Sequence, residues 1–176
     1  MKRNTEENLV IIDNYLDSTY AEDILHRISV LNYTKIKLDN GIHYEFEYNI
    51  NKIVDEIFNN IQFFNLVNRR LSTDITAIYE HHISKMTHGE YIDDHTDKGN
   101  KGQRATFLFY LNKNWTKENG GDLEFTENVL ILPVFNRLVL FNNTEISTHR
   151  VNRLKTDKAR YTITGWLYND RNQDNN

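Results

Sequence analysis

Hydrophobic residues in the first third of the chain follow two patterns. A short apolar run at positions 9–12 predicts a strand. Two later stretches carry apolar residues at helical spacing, so each predicts an amphipathic helix. Thr19 and Glu22 have the spacing of a capping box at the start of the first helix. Residues 32–48, between the two helices, fit a strand or a loop. The helical stripes are Ile24, Leu25, Ile28 and Leu31, and then Ile50, Ile53, Val54, Ile57, Phe58 and Ile61.

From Asp74 onward, short runs rich in β-branched and aromatic residues replace the helical pattern. Turn residues separate these runs, most clearly at Asn119-Gly120-Gly121. Short strands at this spacing are typical of an antiparallel sandwich or barrel, and the two helices would cover one of its outer faces. We therefore expect an α+β, mainly β fold. The runs are 75–83, 104–111, 122–125, 129–132, 137–141, 149–154 and 160–168.

Composition narrows the class of protein. With 176 residues and 39% hydrophobic content, the chain is long enough for one core, so we expect a single domain over 1–176. The absence of cysteine excludes disulfides, Fe–S clusters and thiol nucleophiles. A net charge of −4 argues against a nucleic-acid or membrane-surface partner. No apolar stretch approaches the ~20 residues of a membrane span, so we expect a cytoplasmic location.

One imidazole–carboxylate pair stands out among the seven histidines. His95 and Asp97 flank Thr96, and residues two apart in an extended segment point to the same side. His149 follows 52 residues after Asp97, across four predicted strands, a separation that a barrel can close. Two imidazoles and one carboxylate on one face of a metal form the facial triad of non-haem iron(II) oxygenases, which leaves coordination positions open. A His-x-Asp pair alone also arises by chance in a solvated loop.

The run 160–168 strengthens the hypothesis that His95, Asp97 and His149 belong to a functional site. Arg160, Thr162 and Thr164 share one face of this predicted strand, while its apolar face can pack on the helices. A guanidinium and hydroxyls are unusual contents for a core unless they bind an anion, because a buried arginine without a partner is costly. Together with Tyr110 on another predicted strand, they would suit a buried carboxylate.

Several short motifs occur in order between Gly89 and Tyr168. They are Gly89-x-Tyr91, His95-Thr96-Asp97, Thr106, Tyr110-Leu111-Asn112 with Trp115, Gly120-Gly121-x-Leu123, Pro133-x-x-Asn136-Arg137-Leu138, Phe141, His149-x-Val151 and Arg160-Tyr161-x-Ile163-Thr164-Gly165-Trp166. In order and spacing they resemble the catalytic core of the prolyl-hydroxylase branch of the 2-oxoglutarate/iron(II) dioxygenase superfamily, in particular small microbial proline-hydroxylase-like proteins. One departure is Ser84-Lys85-Met86, where many relatives place a tyrosine that binds the co-substrate.

The resemblance implies a fold, cofactors and residue roles. The fold would be a double-stranded β-helix of the jelly-roll or cupin type, with the N-terminal helices on the outer face of one sheet and a catalytic core at about 74–168. The cofactor would be Fe(II), with 2-oxoglutarate and O₂ as co-substrates and ascorbate as a supporting reductant. The implied metal ligands are His95, Asp97 and His149. The implied co-substrate site comprises Arg160, which would pair with the C5 carboxylate, and Tyr110, Thr162, Thr106 and Tyr91.

The leading hypothesis is a dioxygenase that hydroxylates an aliphatic C–H bond. Its substrate would be a prolyl or other residue in a peptide or protein; the alternative is a free amino acid or small metabolite. A hypothesis of another class is a non-catalytic sensor that binds 2-oxoglutarate and metal on the same barrel. In the resemblance, Asp97 favours hydroxylation, because related halogenases have a small residue there. The sequence indicates no oligomeric state.

Two further features allow more than one interpretation. The loop 98–104, which carries three basic residues and two glycines, is either a solvated connector or a mobile lid over the site. His81 and His82 are adjacent in a predicted strand, so their side chains point to opposite faces and cannot bind one metal together. We interpret both as surface or packing residues.

Overall fold

A computed structural model of the chain describes residues 8–39, 43–97, 103–126, 128–144 and 147–170. All seven runs predicted as strands after Asp74 contain a strand, and residues 34–49 form a hairpin. The helices are α1 (Ser18–Ser29), α2 (Ile53–Phe58) and α3 (Ile61–Leu71). The strands are β1 (Leu9–Asp13), β2 (Thr34–Asp39), β3 (His43–Asn49), β4 (Ala77–Met86), β5 (Ile92–His95), β6 (Ala105–Tyr110), β7 (Leu123–Phe125), β8 (Val129–Ile131), β9 (Arg137–Asn142), β10 (His149–Val151) and β11 (Arg160–Tyr168).

Helix α1 begins two residues earlier than the capping box predicted. Asp17 is the N-cap residue, and its carboxylate accepts hydrogen bonds from the backbone N–H groups of Thr19 at 3.0 Å and Tyr20 at 3.2 Å. A carboxylate at this position pairs two donors that the helix itself cannot satisfy. The prediction of Thr19 as the cap was therefore wrong by two residues, although the apolar stripe of the helix is correct.

The second predicted helix is in fact two helices. Its apolar stripe is continuous, but α2 ends at Phe58 and α3 begins at Ile61. Asn60 separates them, because its side-chain oxygen accepts from Phe63 N at 2.9 Å and its amide donates to Ile57 O at 2.9 Å. This side chain thus caps both helix ends, which a stripe of apolar residues cannot reveal.

The strands form two antiparallel layers that face each other. The larger sheet has the order β1-β9-β6-β11-β4-β3, with β2 paired to β3. The smaller sheet continues as β5-β10-β7-β8. Strands β3 and β5 join them through the single register pair Tyr44 and Ile92. Side chains of both sheets line one cavity, so the layers enclose it between them.

The helices cover the outer face of the larger sheet, as predicted. Phe107 of β6 is fully buried, and its ring centroid lies 4.5 Å from that of Phe58 and 5.2 Å from that of Phe63. Gly165 of β11 lies beneath this ring, where a Cβ would overlap Phe107. The close approach orients β11 so that its residues of opposite parity point into the cavity. In the described part of the chain, no helix is long and apolar enough to cross a membrane.

Candidate active site

The cavity between the sheets has a volume of about 140 Å³. Both sheets contribute to it, because alternate residues of each strand point inward. Its lining consists of His82, Ser84 and Met86 of β4, Leu108 of β6, Arg160, Thr162, Thr164 and Trp166 of β11, Ile92 and His95 of β5, Leu123 of β7, His149 and Val151 of β10, and Asp97. A site with polar groups at chosen points and apolar walls elsewhere is typical of small-molecule binding.

His95, Asp97 and His149 come together in this cavity. Their nearest ligand atoms all lie within 4.8 Å of one another. Asp97 Oδ1 is 3.7 Å from His95 Nε2, and Asp97 Oδ2 is 3.8 Å from His149 Nε2. Backbone pairing explains the arrangement, because His95 of β5 lies directly opposite His149 of β10 in the antiparallel register. Separations of this size leave room for one ion between the three groups.

Backbone carbonyls orient both imidazole rings. His95 Nδ1 lies 2.8 Å from Asp93 O, and His149 Nδ1 lies 2.8 Å from Ser147 O. A ring that donates its Nδ1–H to a carbonyl leaves Nε2 as an unprotonated lone pair, which is the form that binds metal. Burial lowers the pKa of His149 and so keeps this ring neutral. The two Nε2 atoms thus face Asp97 with lone pairs that a metal ion can accept.

Hydrogen bonds with residues of the larger sheet and its loops position Asp97. The Thr106 hydroxyl of β6 lies 2.8 Å from Asp97 Oδ2 and 2.9 Å from Asn143 Oδ1. The Asn143 amide also donates to Asp97 O at 3.2 Å. Thr106, expected in the co-substrate site, therefore contacts the carboxylate of the triad, and the structure places it among the groups that position a ligand.

Arg160 lies at the buried end of the cavity with 2% of its surface exposed. Its Nε donates to Gly121 O at 2.9 Å, and its Nη1 donates to Thr162 Oγ1 at 2.7 Å. Gly121 has φ +71°, and a Cβ there would lie 3.0 Å from Arg160 Cδ, so glycine permits this close approach. Burial lowers the pKa of Arg160. Within the described ranges, no carboxylate forms an ion pair with its guanidinium.

A buried tyrosine lies beside this guanidinium. The Tyr110 ring centroid is 5.1 Å from Arg160 Cζ, and the side chain is fully buried. Its hydroxyl has no hydrogen bond of good geometry to a described residue, although the Arg160 guanidinium is near enough to interact with it. Burial raises the pKa of Tyr110 to about 12, so the hydroxyl keeps its proton and can donate it. A buried hydroxyl is rarely left unpaired, and the guanidinium has no carboxylate partner among the described residues, so these two groups fit a bound anion.

The structure does not bring every predicted residue to the cavity. The described lining includes neither Tyr110 nor Thr106, although each contacts a lining residue. Tyr91 is also absent from the lining, and its ring instead lies under the guanidinium of Arg153, 4.0 Å from Cζ to the ring centroid. The predicted lid cannot be compared with the structure, because residues 98–102 of that loop lie outside the described ranges.

His82 is a cavity residue that the sequence interpretation missed. The sequence interpretation predicts a surface or packing residue, but His82 lines the cavity with its ring 5.4 Å from that of Trp166. Burial lowers its pKa to about 4. His82, Ser84 and Met86 alternate along β4 and all three face the cavity, but β4 has polar residues on both faces, so the sequence alone did not mark this face as the inner one. His81 points the other way, with Nε2 3.6 Å from Asp55 Oδ1.

Comparison with known families shows which family of proteins the chain belongs to. Residues 81–168 match the family described as the 2OG-Fe(II) oxygenase superfamily, and they include every residue of the described cavity lining. The chain belongs to the 2OG-Fe(II) oxygenase superfamily. This confirms the resemblance found in the sequence and, at the level of the family, the prediction of an oxidoreductase of the dioxygenase class.

Individual relatives of this 2OG-Fe(II) oxygenase extend the comparison. Prolyl 3-hydroxylase OGFOD1 of Mus musculus is 32% identical over 79 residues, which cover 39% of this chain but 14% of that protein. A Pseudomonas putida prolyl-4-hydroxylase shares 18% identity at a TM-score of 0.71, with 92% of each chain covered. A Trichoplax adhaerens prolyl hydroxylase, solved with a hypoxia inducible factor peptide fragment, shares 23% identity at a TM-score of 0.72, covering 96% of this chain and 86% of that one. These structures confirm the predicted double-stranded β-helix.

Proposed function

We propose that the protein is an Fe(II)- and 2-oxoglutarate-dependent dioxygenase that hydroxylates an aliphatic C–H bond of a prolyl or other residue in a peptide or protein. One observation carries the proposal. Two imidazoles and a carboxylate converge in a cavity whose buried end holds an arginine without a carboxylate partner among the described residues. A metal site and an anion site in one cavity match a co-substrate that has a chelating end and a distal carboxylate.

His95, Asp97 and His149 would hold the metal. When bound, Fe(II) supplies the redox chemistry that couples oxidation of 2-oxoglutarate by O₂ to hydroxylation. The donor set fits this ion, because two imidazoles and one carboxylate on one face leave the remaining positions for other ligands. The hydrogen bonds from Nδ1 to Asp93 O and Ser147 O keep both rings in the ligating tautomer.

Arg160 and Tyr110 would bind the distal carboxylate of 2-oxoglutarate. A guanidinium offers a planar pair of donors to a carboxylate, and the Tyr110 hydroxyl adds a third. Thr162 contributes indirectly, since its hydroxyl accepts from Arg160 Nη1 and so fixes the guanidinium. Such contacts orient the co-substrate with its oxo acid end toward the metal and exclude water from the buried end of the cavity.

The lining favours a residue within a peptide over a free amino acid. Among the described lining residues, Asp97 is the only carboxylic acid and Arg160 the only lysine or arginine, and the proposal assigns both to other ligands. A free amino acid carries an ammonium and a carboxylate, which are costly to bury without partners. Inside a peptide, both groups are neutral amides. The names of the relatives, which are prolyl hydroxylases, agree with such a substrate.

Loss of the buried guanidinium tests the proposal. Under anaerobic conditions, Fe(II) with 2-oxoglutarate should produce a visible charge-transfer band, and Arg160→Gln should raise the concentration of 2-oxoglutarate needed for half of it at least about 30-fold, as expected for a buried charge pair of 2 kcal/mol or more. Arg153→Gln is the matched control, because Arg153 is exposed and outside the lining. Asp97→Ala should abolish the band. An unchanged band in Asp97→Ala, or equal 2-oxoglutarate requirements in the two arginine variants, would contradict the assignment.

Aerobic assays address the reaction itself. Incubation with Fe(II), 2-oxoglutarate and proline-containing peptides should produce succinate together with a 16 Da increase in peptide mass. Ascorbate should be included in parallel reactions to test its predicted support. Succinate formation without modification of any peptide or amino acid would favour the sensor hypothesis over the enzyme.

A further inference from the structure

The cavity is closed at one end and open at the other. Along β11, the exposed fraction is 2% for Arg160, 2% for Thr162 and 9% for Thr164, and Trp166 is half-buried. Strand β4 shows the same gradient, from Met86 at 1% through Ser84 at 6% to a half-buried His82. The mouth of the cavity is therefore formed by His82 and Trp166 on the larger sheet.

The mouth lies at the level of the proposed metal ligands. In the register of the larger sheet, Trp166 of β11 is opposite Thr106 of β6, whose hydroxyl contacts Asp97. His82 of β4 is opposite Thr164, next to Trp166 on the same face. A co-substrate that extends from the metal toward Arg160 would leave this end free. The primary substrate must then approach the metal past these two rings.

The two rings form an aromatic surface. Their centroids are 5.4 Å apart, with the ring planes tilted by 44°. An imidazole beside an indole offers apolar faces to a ring and polar ring edges to an amide. No lysine, arginine or glutamate side chain is part of the described lining at this end.

We propose that His82 is a specificity-determining residue, which together with Trp166 forms the wall that selects an uncharged, ring-bearing residue flanked by amides. This inference rests on the proposed function, since it assumes that the metal and 2-oxoglutarate occupy the remainder of the cavity. In the proposed complex with substrate, the His82 imidazole packs against the ring of the target residue and supports the position of Trp166. A charged free amino acid is rejected because it finds no partner for its ends there.

Fluorescence of Trp166 provides a direct test. The chain has two tryptophans, and Trp115→Phe leaves Trp166 as the single reporter. The protein is loaded anaerobically with redox-inert Zn(II), titrated with 2-oxoglutarate, and then titrated with N-acetyl-L-proline methylamide or with free L-proline. We expect the capped proline to change the Trp166 emission and free L-proline to bind at least about tenfold more weakly, for want of charge partners.

Substitutions of His82 isolate its contribution. His82→Ala should weaken binding of the capped proline about fivefold to tenfold, in the range of one aromatic contact, and His82→Phe should recover most of the loss. His88→Ala is the matched control, because His88 is exposed and outside the lining. The fold of each variant is checked by its unfolding transition.

The outcomes separate this inference from the proposed function. Failure of 2-oxoglutarate to bind the Zn(II) protein refutes the proposed function, whatever the proline probes do. If 2-oxoglutarate binds, three results overturn the inference about His82: no emission change with the capped proline, equal binding of free L-proline, or wild-type affinity in His82→Ala. Weaker binding in His82→Ala with recovery in His82→Phe supports it.

Discussion

At the scale of single residues, the site is built from side chains that hold other side chains. Thr106 is fully buried, and its hydroxyl contacts Asp97 Oδ2 and Asn143 Oδ1. Such a contact fixes the carboxylate in the orientation that faces the two imidazoles. Groups of this kind typically change metal affinity by about 10–100-fold when they are removed. Thr106 is thus a positioning residue for the proposed metal site.

Replacement of this hydroxyl gives a specific expectation. Thr106→Val keeps the shape of the side chain but removes the donor, so we expect Mn(II) to bind about 10–100-fold more weakly. Thr106→Ser restores the hydroxyl and should return affinity to within about threefold of wild type. Isothermal titration of metal-free protein with Mn(II) provides the measurement. Equal affinities in the Val and wild-type proteins would show that the contact with Asp97 has no part in metal binding.

At the scale of elements, Asn136 fastens the N-terminal segment to the larger sheet. It has 1% of its surface exposed and φ +59°. Its side-chain oxygen accepts from Leu16 N at 2.9 Å, and its amide donates to Leu16 O at 2.7 Å. The side chain therefore pairs with the backbone of Leu16 as a neighbouring strand would. This contact joins the segment between β1 and α1 to the turn before β9.

We expect Asn136→Ala to lower the free energy of unfolding by about 3 kcal/mol, from two lost hydrogen bonds and a left-handed backbone that alanine disfavours. Asn128→Ala is the matched control, because Asn128 has φ +61° but is exposed. It should cost about 1 kcal/mol, the conformational part alone. Urea unfolding measures both. Equal losses would mean that the bonds to Leu16 contribute nothing to stability.

Elements differ in how well the sequence predicts them, for physical reasons. The inward face of β11 could be predicted from the sequence. Polar residues (Arg160, Thr162 and Thr164) alternate along this strand with apolar residues that pack on the helices, so the two faces differ clearly. The separation of α2 from α3 was not predictable from the apolar stripe, since it depends on the side chain of Asn60. Strand β4 carries polar residues on both of its faces, so its sequence did not show that the face with His82 points into the cavity.

In the candidate site too, some features could be predicted from the sequence and others could not. The triad and Arg160 could be inferred from residue type and spacing, because few combinations of side chains have their chemistry. The contact between Thr106 and Asp97 depends on how β6 lies relative to the segment after β5, which local patterns do not encode. Tyr91 was assigned through its motif, but its ring lies beside Arg153, a long-range neighbour in the chain.

At the scale of the whole molecule, the proposed ligands divide between the two sheets. His95 and His149 belong to the smaller sheet, and Asp97 follows directly after β5. Arg160 and Tyr110, the proposed carboxylate donors, belong to the larger sheet. The sheets share only one backbone register pair, between β3 and β5, in the described part of the chain. A co-substrate that binds both the metal and Arg160 would therefore connect the layers across the cavity.

Hydrogen exchange should reveal this connection. Relative to the Mn(II) protein, 2-oxoglutarate at about 100 times its dissociation constant should slow exchange by up to about 100-fold, or about 2.7 kcal/mol, for amides exposed only when the layers separate. We expect protection in β10 and β7 of the smaller sheet and also in β11 of the larger one. Pyruvate is the matched control ligand, because it chelates a metal like any 2-oxo acid but lacks the carboxylate that would reach Arg160. It should protect β5 and β10 and leave β11 near the level seen with metal alone. Equal protection of β11 by pyruvate and 2-oxoglutarate would mean that the distal carboxylate does not contact the larger sheet, and the role proposed for Arg160 would then be wrong.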